Sequence, residues 1–186
     1  MQRLTTLCST VALALSLSAC STVAPQYSSS LDNIAVLKKD AGGPVKVGAF
    51  QTESDKLNSI SLRGTGMASP YEQSYAKYLG EALKQELIMA GKYAPDADIE
   101  LSGTLLKNDI DASGFSAATG NIDARVVVKN RSVVKYDKVK SIKQDWESSF
   151  VGSVAIPRAV AAYPGMVSKL LGELYADPEF IAALKQ

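Results

Sequence analysis

Residues 69–91 read SPYEQSYAKYLGEALKQELIMAG, and this stretch decides the class of fold. Ser69 is a capping residue, Pro70 suits the first helical position, and Glu72 stands three residues after the cap, which together form a capping-box pattern. Beyond it Tyr75, Tyr78, Leu79, Ala82, Leu83, Leu87 and Ala90 recur at helical spacing, and Gly91 stands where a helix stops. One long amphipathic helix is predicted, with an apolar face that has to be buried. Tyr71, Tyr75 and Tyr78 at the front of that face suggest stacking on a ligand. Tyrosines at this spacing more often belong to a core with their hydroxyls at its rim, and that is the expectation here.

The surface that buries the helix is read from the segments on either side. Val45 to Phe50 alternates as a short strand after the Gly42-Gly43-Pro44 turn, and Ser59 to Arg63 suggests a second. Strand-like runs follow at Ile99 to Lys107, Asn121 to Lys129, and Val133 to about Phe150, separated by turns at 114–120 and 129–131. In the last run Val134, Tyr136, Ile142, Trp146 and Phe150 share one parity, which Lys138, Lys140 and Gln144 interrupt, so a bulge, a turn or a projecting middle is expected there. Val160, Tyr163, Val167, Leu170, Leu171 and Leu174 then form a helical stripe that Pro164 should kink or divide. Asp177-Pro178 looks like the cap of a last short helix carrying Phe180, Ile181 and Leu184. The order predicts an α+β fold, a mostly antiparallel sheet with a long helix and C-terminal helices packed on one face.

Ahead of this domain the chain begins as an export signal. Arg3 supplies the positive start, Leu4 to Leu17 a mostly apolar stretch, and Ser18 and Ala19 the small residues before a cut. The apolar stretch is too short and too often broken by Ser and Thr to span a bilayer, which takes about 20 apolar residues. Leu17-Ser18-Ala19-Cys20 resembles the lipobox read by lipoprotein signal peptidase, which implies cleavage between Ala19 and Cys20 and lipidation of Cys20. Cysteine usage agrees. Cys8 lies in the discarded signal, and acylation accounts for the one remaining thiol. Acyl chains on one residue anchor a protein at about 0.8 kcal/mol per buried methylene.

Three segments are therefore expected: a signal peptide over 1–19, a lipidated flexible tether over 20–33, and a single α+β domain over 34–186. The tether reading rests on Pro25, on Ser28-Ser29-Ser30 and on the lack of any period, and residues 21–33 fully extended would reach about 43 Å. Ser21 bears on sorting. In the lipoproteins this chain resembles, Asp after the lipidated cysteine favours the inner membrane and other residues permit export to the outer one. The expected address is the periplasmic face of the outer membrane, with the inner membrane as the alternative.

Composition narrows the chemistry. Removing residues 1–19 leaves 167 of the 186 residues and 19 Lys and Arg against 19 Asp and Glu, since Arg3 is the one charge in the signal. A nucleic-acid partner usually shows as a net basic domain, so none is expected. The chain has no histidine, which removes Ser-His-Asp and Cys-His catalysis and His-containing zinc sites. Asp96, Asp98 and Glu100 cluster, as do Asp109 and Asp111, but the spacing lacks the regular oxygen ligands of a calcium loop. Solvated charges are the expectation. Gly64-Thr-Gly66 lacks the third glycine and the Gly-Lys-Ser/Thr of phosphate loops and reads as a turn. The candidate interaction surface is the basic run that includes Arg125, Lys129, Arg131 and Lys135; lysines that keep an exposed strand from pairing with another are the competing explanation.

Across nearly its whole length the chain resembles a family of uncharacterised Gram-negative lipoproteins of this size. The resemblance is carried by Cys20-Ser-Thr with Ala24-Pro25-Gln26-Tyr27, the Val45 to Phe50 strand, the Tyr75 to Leu87 helix, Ile99 to Gly103, Asn121-Ile122-Asp123, and Trp146 to Phe150. Some members have been called UDP-N-acetylglucosamine acyltransferases. Such enzymes are built from hexapeptide repeats and use a histidine base, and this sequence has neither. The element order is also similar to small α+β domains of envelope lipoproteins that bind assembly machines or cell-wall synthases. The function expected is a non-enzymatic accessory or scaffold, anchored by lipid and binding another envelope protein, with no cofactor besides the covalent lipid. A carrier of lipid or another apolar ligand is the alternative, and a hydrolase working without histidine is a third.

Overall fold

The computed structural model describes residues 21–40 and 42–185, so the expected signal peptide and the expected cleavage site at Ala19 and Cys20 lie outside the described residues. Strands β1 (Ser21–Val23), β2 (Val45–Thr52), β3 (Ser59–Leu62), β4 (Thr65–Ala68), β5 (Ile99–Asp111), β6 (Ala117–Asn130) and β7 (Val133–Glu147) alternate with helices α1 (Leu31–Asp40), α2 (Tyr75–Met89), α3 (Gly152–Tyr175) and α4 (Pro178–Ala183). The fold is α+β, as expected, but the sheets are mixed. The main sheet runs β2-β5-β6-β7, with β2 parallel to β5 and the remaining pairs antiparallel. A smaller sheet runs β1-β4-β3, with β1 parallel to β4.

Alternation explains the long strands, and a bulge explains where a simple reading of it stops. In β5 the buried side is Ile99, Leu101, Gly103 and Leu105, then Asn108 and Ile110. The register against β6 shifts between Leu105 and Lys107. That extra residue at Leu106 flips the parity, so the strand continues to Asp111 instead of ending at Lys107. A second bulge, at Lys135, lets Val134 and Tyr136 pair with Lys129 and Val128. The later part of β7 stays paired throughout, and Tyr136, Ile142 and the half-buried Trp146 face the helices.

The long helix starts later than the capping-box pattern implies. Glu72 and Gln73 have φ of 50° and 55°, a left-handed turn that no helix can cross. Ser69 Oγ instead accepts the Tyr71 amide within that turn, and Ser74 becomes the cap by accepting from the Lys77 amide. The far end closes on Gly91 (φ 70°), with the Lys92 amide donating to the Leu87 carbonyl and the Gly91 amide to that of Ile88, a Schellman motif. α3 runs unbroken through Pro157 and Pro164, so Pro164 does not divide it.

Helices α2, α3 and α4 cover the inward face of the main sheet, and α1 packs on α2 and α3. Glycines set two of these approaches. Phe50 sits between Gly80 of α2 and Gly103 of β5, where an added Cβ would lie 3.2 and 2.5 Å from its ring. Met166 of α3 rests on Gly120 of β6 at a distance that a Cβ would reduce to 2.4 Å. Tyr75, Tyr78 and Tyr163 form an aromatic cluster with ring centroids 4.7 to 6.4 Å apart. Their hydroxyls donate to the Met67 carbonyl, the Pro25 carbonyl and Asn108 Oδ1 respectively. These tyrosines are core residues, as their spacing implied.

The segment expected to be a flexible tether is folded from Ser21 onward. Ser21 to Val23 pair with Gly66 to Ala68, Ala24 and Tyr27 are buried, and α1 begins at Leu31. A three-residue strand and isolated anchors carry no period, so composition alone suggested a coil.

Candidate functional site at the chain start

The basic run of the sequence is dispersed and largely neutralised. Arg125 on the outer face of β6 forms a two-point pair with Asp137 of β7, at 2.6 and 2.5 Å. Arg131, in the β6–β7 turn at φ 53°, pairs with Asp98 at 3.1 Å. In both pairs the hydrogen bond, with the opposite charge beside it, holds the carboxyl below its ordinary range. Lys129 is half-buried on the same outer face and Lys135 is exposed at the bulge. Lys138 and Lys140 turn inward to Asp177 and Glu179 at the start of α4. The four candidate residues thus lie along β6, β7 and the turn between them without forming a concentrated positive field.

Asp177 caps α4 by accepting the Glu179 amide, and its other oxygen accepts from Lys140 Nζ at 2.7 Å and Tyr136 Oη at 3.0 Å. The Lys140 hydrogen bond is the main reason its carboxyl lies well below the usual range. The Asp177 and Lys140 side chains are 8% and 19% exposed. The cluster docks α4 on β7. Of the other clustered acids of the sequence, Glu100 is occupied by Lys46, Asp109 by Asn121 and Lys107, and Asp111 by Ser113, while Asp96 is exposed in the turn before β5.

Buried Glu86 of α2 is a feature that the helical reading missed. Its carboxylate accepts from Tyr27 Oη at 2.6 Å, the Ser30 amide at 3.0 Å, and Asn33 Nδ2 at 3.2 and 3.3 Å. Burial first, and the Glu86 hydrogen bond second, push the Tyr27 hydroxyl far above its ordinary range. Asn33 also donates to the Ser168 carbonyl of α3. The carboxylate therefore ties residues 27–33 to α2 and Asn33 adds a tie to α3, which explains why this segment is packed.

At the other end of that segment Ser21 pairs with Gly66, next to the β3–β4 turn formed by Arg63 and Gly64 at φ 53° and 86°, the geometry of a type I′ hairpin. The turn expected at Gly64-Thr-Gly66 is therefore one residue earlier, and Thr65 opens β4. Arg63 reaches across two loops. Its Nε donates to the Ala112 carbonyl at 2.7 Å, Nη2 to those of Gly114 and Ser149 at 3.0 and 2.8 Å, and Nη1 to that of Phe150. The loops so held carry Phe115 and Phe150, stacked with centroids 5.0 Å apart and 77% and 66% exposed. Val151 and Val154 are exposed beside them at the start of α3.

Cavities bear on what the chain can hold. The apolar space between the helices and the main sheet, lined by Phe50, Leu83, Val126 and Leu171 among others, is about 10 Å³. Ligand sites usually take 300–1,000 Å³. The larger clefts, of 520, 430 and 360 Å³, are open surface features; the first and third are lined partly by charged side chains such as Asp98 and Arg131, or Glu72 and Lys77, and the second mostly by apolar ones such as Val36, Tyr175 and Ile181. Among the described residues no helix is long and apolar enough to cross a membrane.

No protein-family model matches the chain, and no curated protein sequence matches it. Among solved structures it is similar to protein XCC0632 from Xanthomonas campestris, assigned to family DUF330, with a TM-score of 0.60, 14% identity, and 86% of this chain and 95% of that one covered. The fold is shared with a DUF330 protein. The hypothetical protein CT253 from Chlamydia trachomatis aligns more loosely, with a TM-score of 0.42, 11% identity, and 73% and 96% of the two chains covered. In this chain the helices cover one face of the main sheet and leave the other open. Ser102, Val127 and Asp137 form one row across that face, and Thr104, Arg125 and Val139 the next.

Proposed function

We propose that the mature chain is a lipoprotein held by acyl chains on Cys20 at the periplasmic face of the outer membrane, where it serves as a non-enzymatic accessory that binds another envelope protein. The observation that carries this reading is the combination of a filled core with an open, charge-paired sheet face. The cavity of about 10 Å³ between the helices and the main sheet leaves little room there for an apolar cargo, which favours recognition at the surface. The open face alternates small polar side chains, compensated charges and valines, a mixture typical of protein interfaces that form and part. Folding from Ser21 onward supports a domain that works close to the membrane.

Two measurements test the reading. Wild-type protein should take up labelled palmitate and fractionate with the outer membrane. Cys20→Ala should abolish uptake, and Ser21→Asp should shift the protein to the inner membrane. Photocrosslinkers at Thr104 and Ser141 on the open face should capture one reproducible protein in intact cells. Wild-type protein without lipid refutes the anchor; an acylated protein that yields no adduct from either position refutes the role of the face.

A further inference from the structure

Resting on the anchored reading of Cys20, we infer that Phe115, Phe150, Val151 and Val154 form a wedge that enters the headgroup region of the bilayer beside the lipid. Large exposed apolar side chains on a soluble domain call for an occupant when they cluster on a rigid support. Here the support is Arg63, whose guanidinium binds four carbonyls from both loops. The two phenylalanines stack on each other with most of their surface in solvent, so they add little to the core.

The location of the chain start chooses the occupant. Ser21 is held opposite Gly66, three residues from Arg63, and one peptide bond joins it to the residue that would carry the lipid. Adding the hairpin turn and the reach of the Arg63 side chain puts the aromatic pair within roughly 30 Å of Ser21. An anchor attached to a paired strand cannot swing freely, so the surface near it stays at the bilayer. Arg158, one helical turn beyond Val154, is exposed and suits the phosphate level, while the aromatic rings suit the acyl boundary.

The mature lipidated protein has no free thiol if Cys8 is removed and Cys20 acylated, so Phe115→Cys or Val151→Cys can be labelled alone with bimane. The label is followed after reconstitution into vesicles of phosphatidylethanolamine and phosphatidylglycerol, with Ser141→Cys on the open sheet face as comparison. Emission at 115 and 151 should shift to the blue and be quenched by nitroxide lipids, and emission at 141 should do neither. Circular dichroism confirms that each labelled variant is folded. If 115 and 151 remain as solvated as 141 while mass spectrometry shows acylated Cys20, the wedge is refuted and the anchor stands. A mass without acyl chains overturns both. A blue shift that needs no vesicles and tracks dimer formation assigns the patch to a second copy of the chain and overturns the wedge as well.

Discussion

Replacing Glu86 with alanine tests how residues 21–33 are held. The substitution removes the acceptor of three donors, Tyr27 Oη, the Ser30 amide and Asn33 Nδ2. Each buried donor left without a partner costs about 1–3 kcal/mol. Asn33 keeps its bond to the Ser168 carbonyl, and residues 27–33 can in part relax into water, so the full sum is not reached. A loss of about 3–5 kcal/mol is expected, the lower part of the summed cost of three unpaired neutral donors. That is a large share of the 5–15 kcal/mol by which domains are usually stable. Tyr27→Phe removes one donor, leaves the others in place, and should cost about 1–2 kcal/mol. Urea unfolding gives both values, and the double variant gives the coupling between them. Hydrogen exchange locates the effect: amides in 24–33 should lose protection before those of α2 and β6. A loss below about 1 kcal/mol with 24–33 still protected would refute the reasoning.

Two other perturbations follow from the geometry. Gly103→Ala would bring a Cβ to 2.5 Å from the Phe50 ring and 2.9 Å from the Arg125 carbonyl; it should destabilise by about 1–3 kcal/mol through overpacking, and Phe50→Leu in the same chain should relieve part of the cost, as urea unfolding would show. The Asp177 carboxyl is held below its ordinary range, chiefly by Lys140, so its contribution is complete above the unfolded value of about 3.9 and is lost as pH falls toward the folded value. Melting temperature should therefore drop as pH is lowered below about 4, and Asp177→Asn should start lower and show a shallower drop; equal slopes for the two proteins would contradict the assignment.

The sequence by itself determined what depends on near neighbours. Helical spacing from Tyr75 to Leu87, the alternation of β6 and the inward parity of Tyr136, Ile142 and Trp146 all follow from the 3.6 and 2.0 periods of the backbone. The lack of histidine and the Leu17-Ser18-Ala19-Cys20 pattern are likewise legible without coordinates, and they frame the chemistry expected of the chain. Only the tertiary structure decided matters that hinge on partners distant in the chain. The bulge at Leu106 hid the end of β5 because one extra residue reverses the parity that a period reports. The parallel pairings of β1 with β4 and β2 with β5 have no local signature. Lys138 and Lys140 looked like interruptions of an apolar face, but acids about 40 positions further along, on α4, meet them there. Glu86, Tyr27 and Asn33 are separated by more than 50 residues on one side, and no window of sequence contains both the buried carboxylate and the donors that make its burial tolerable. A periodic pattern records which way a side chain points; what it meets is set by the packing of the whole chain, because hydrogen bonds and ion pairs act across space and depend on distances that only the folded backbone defines.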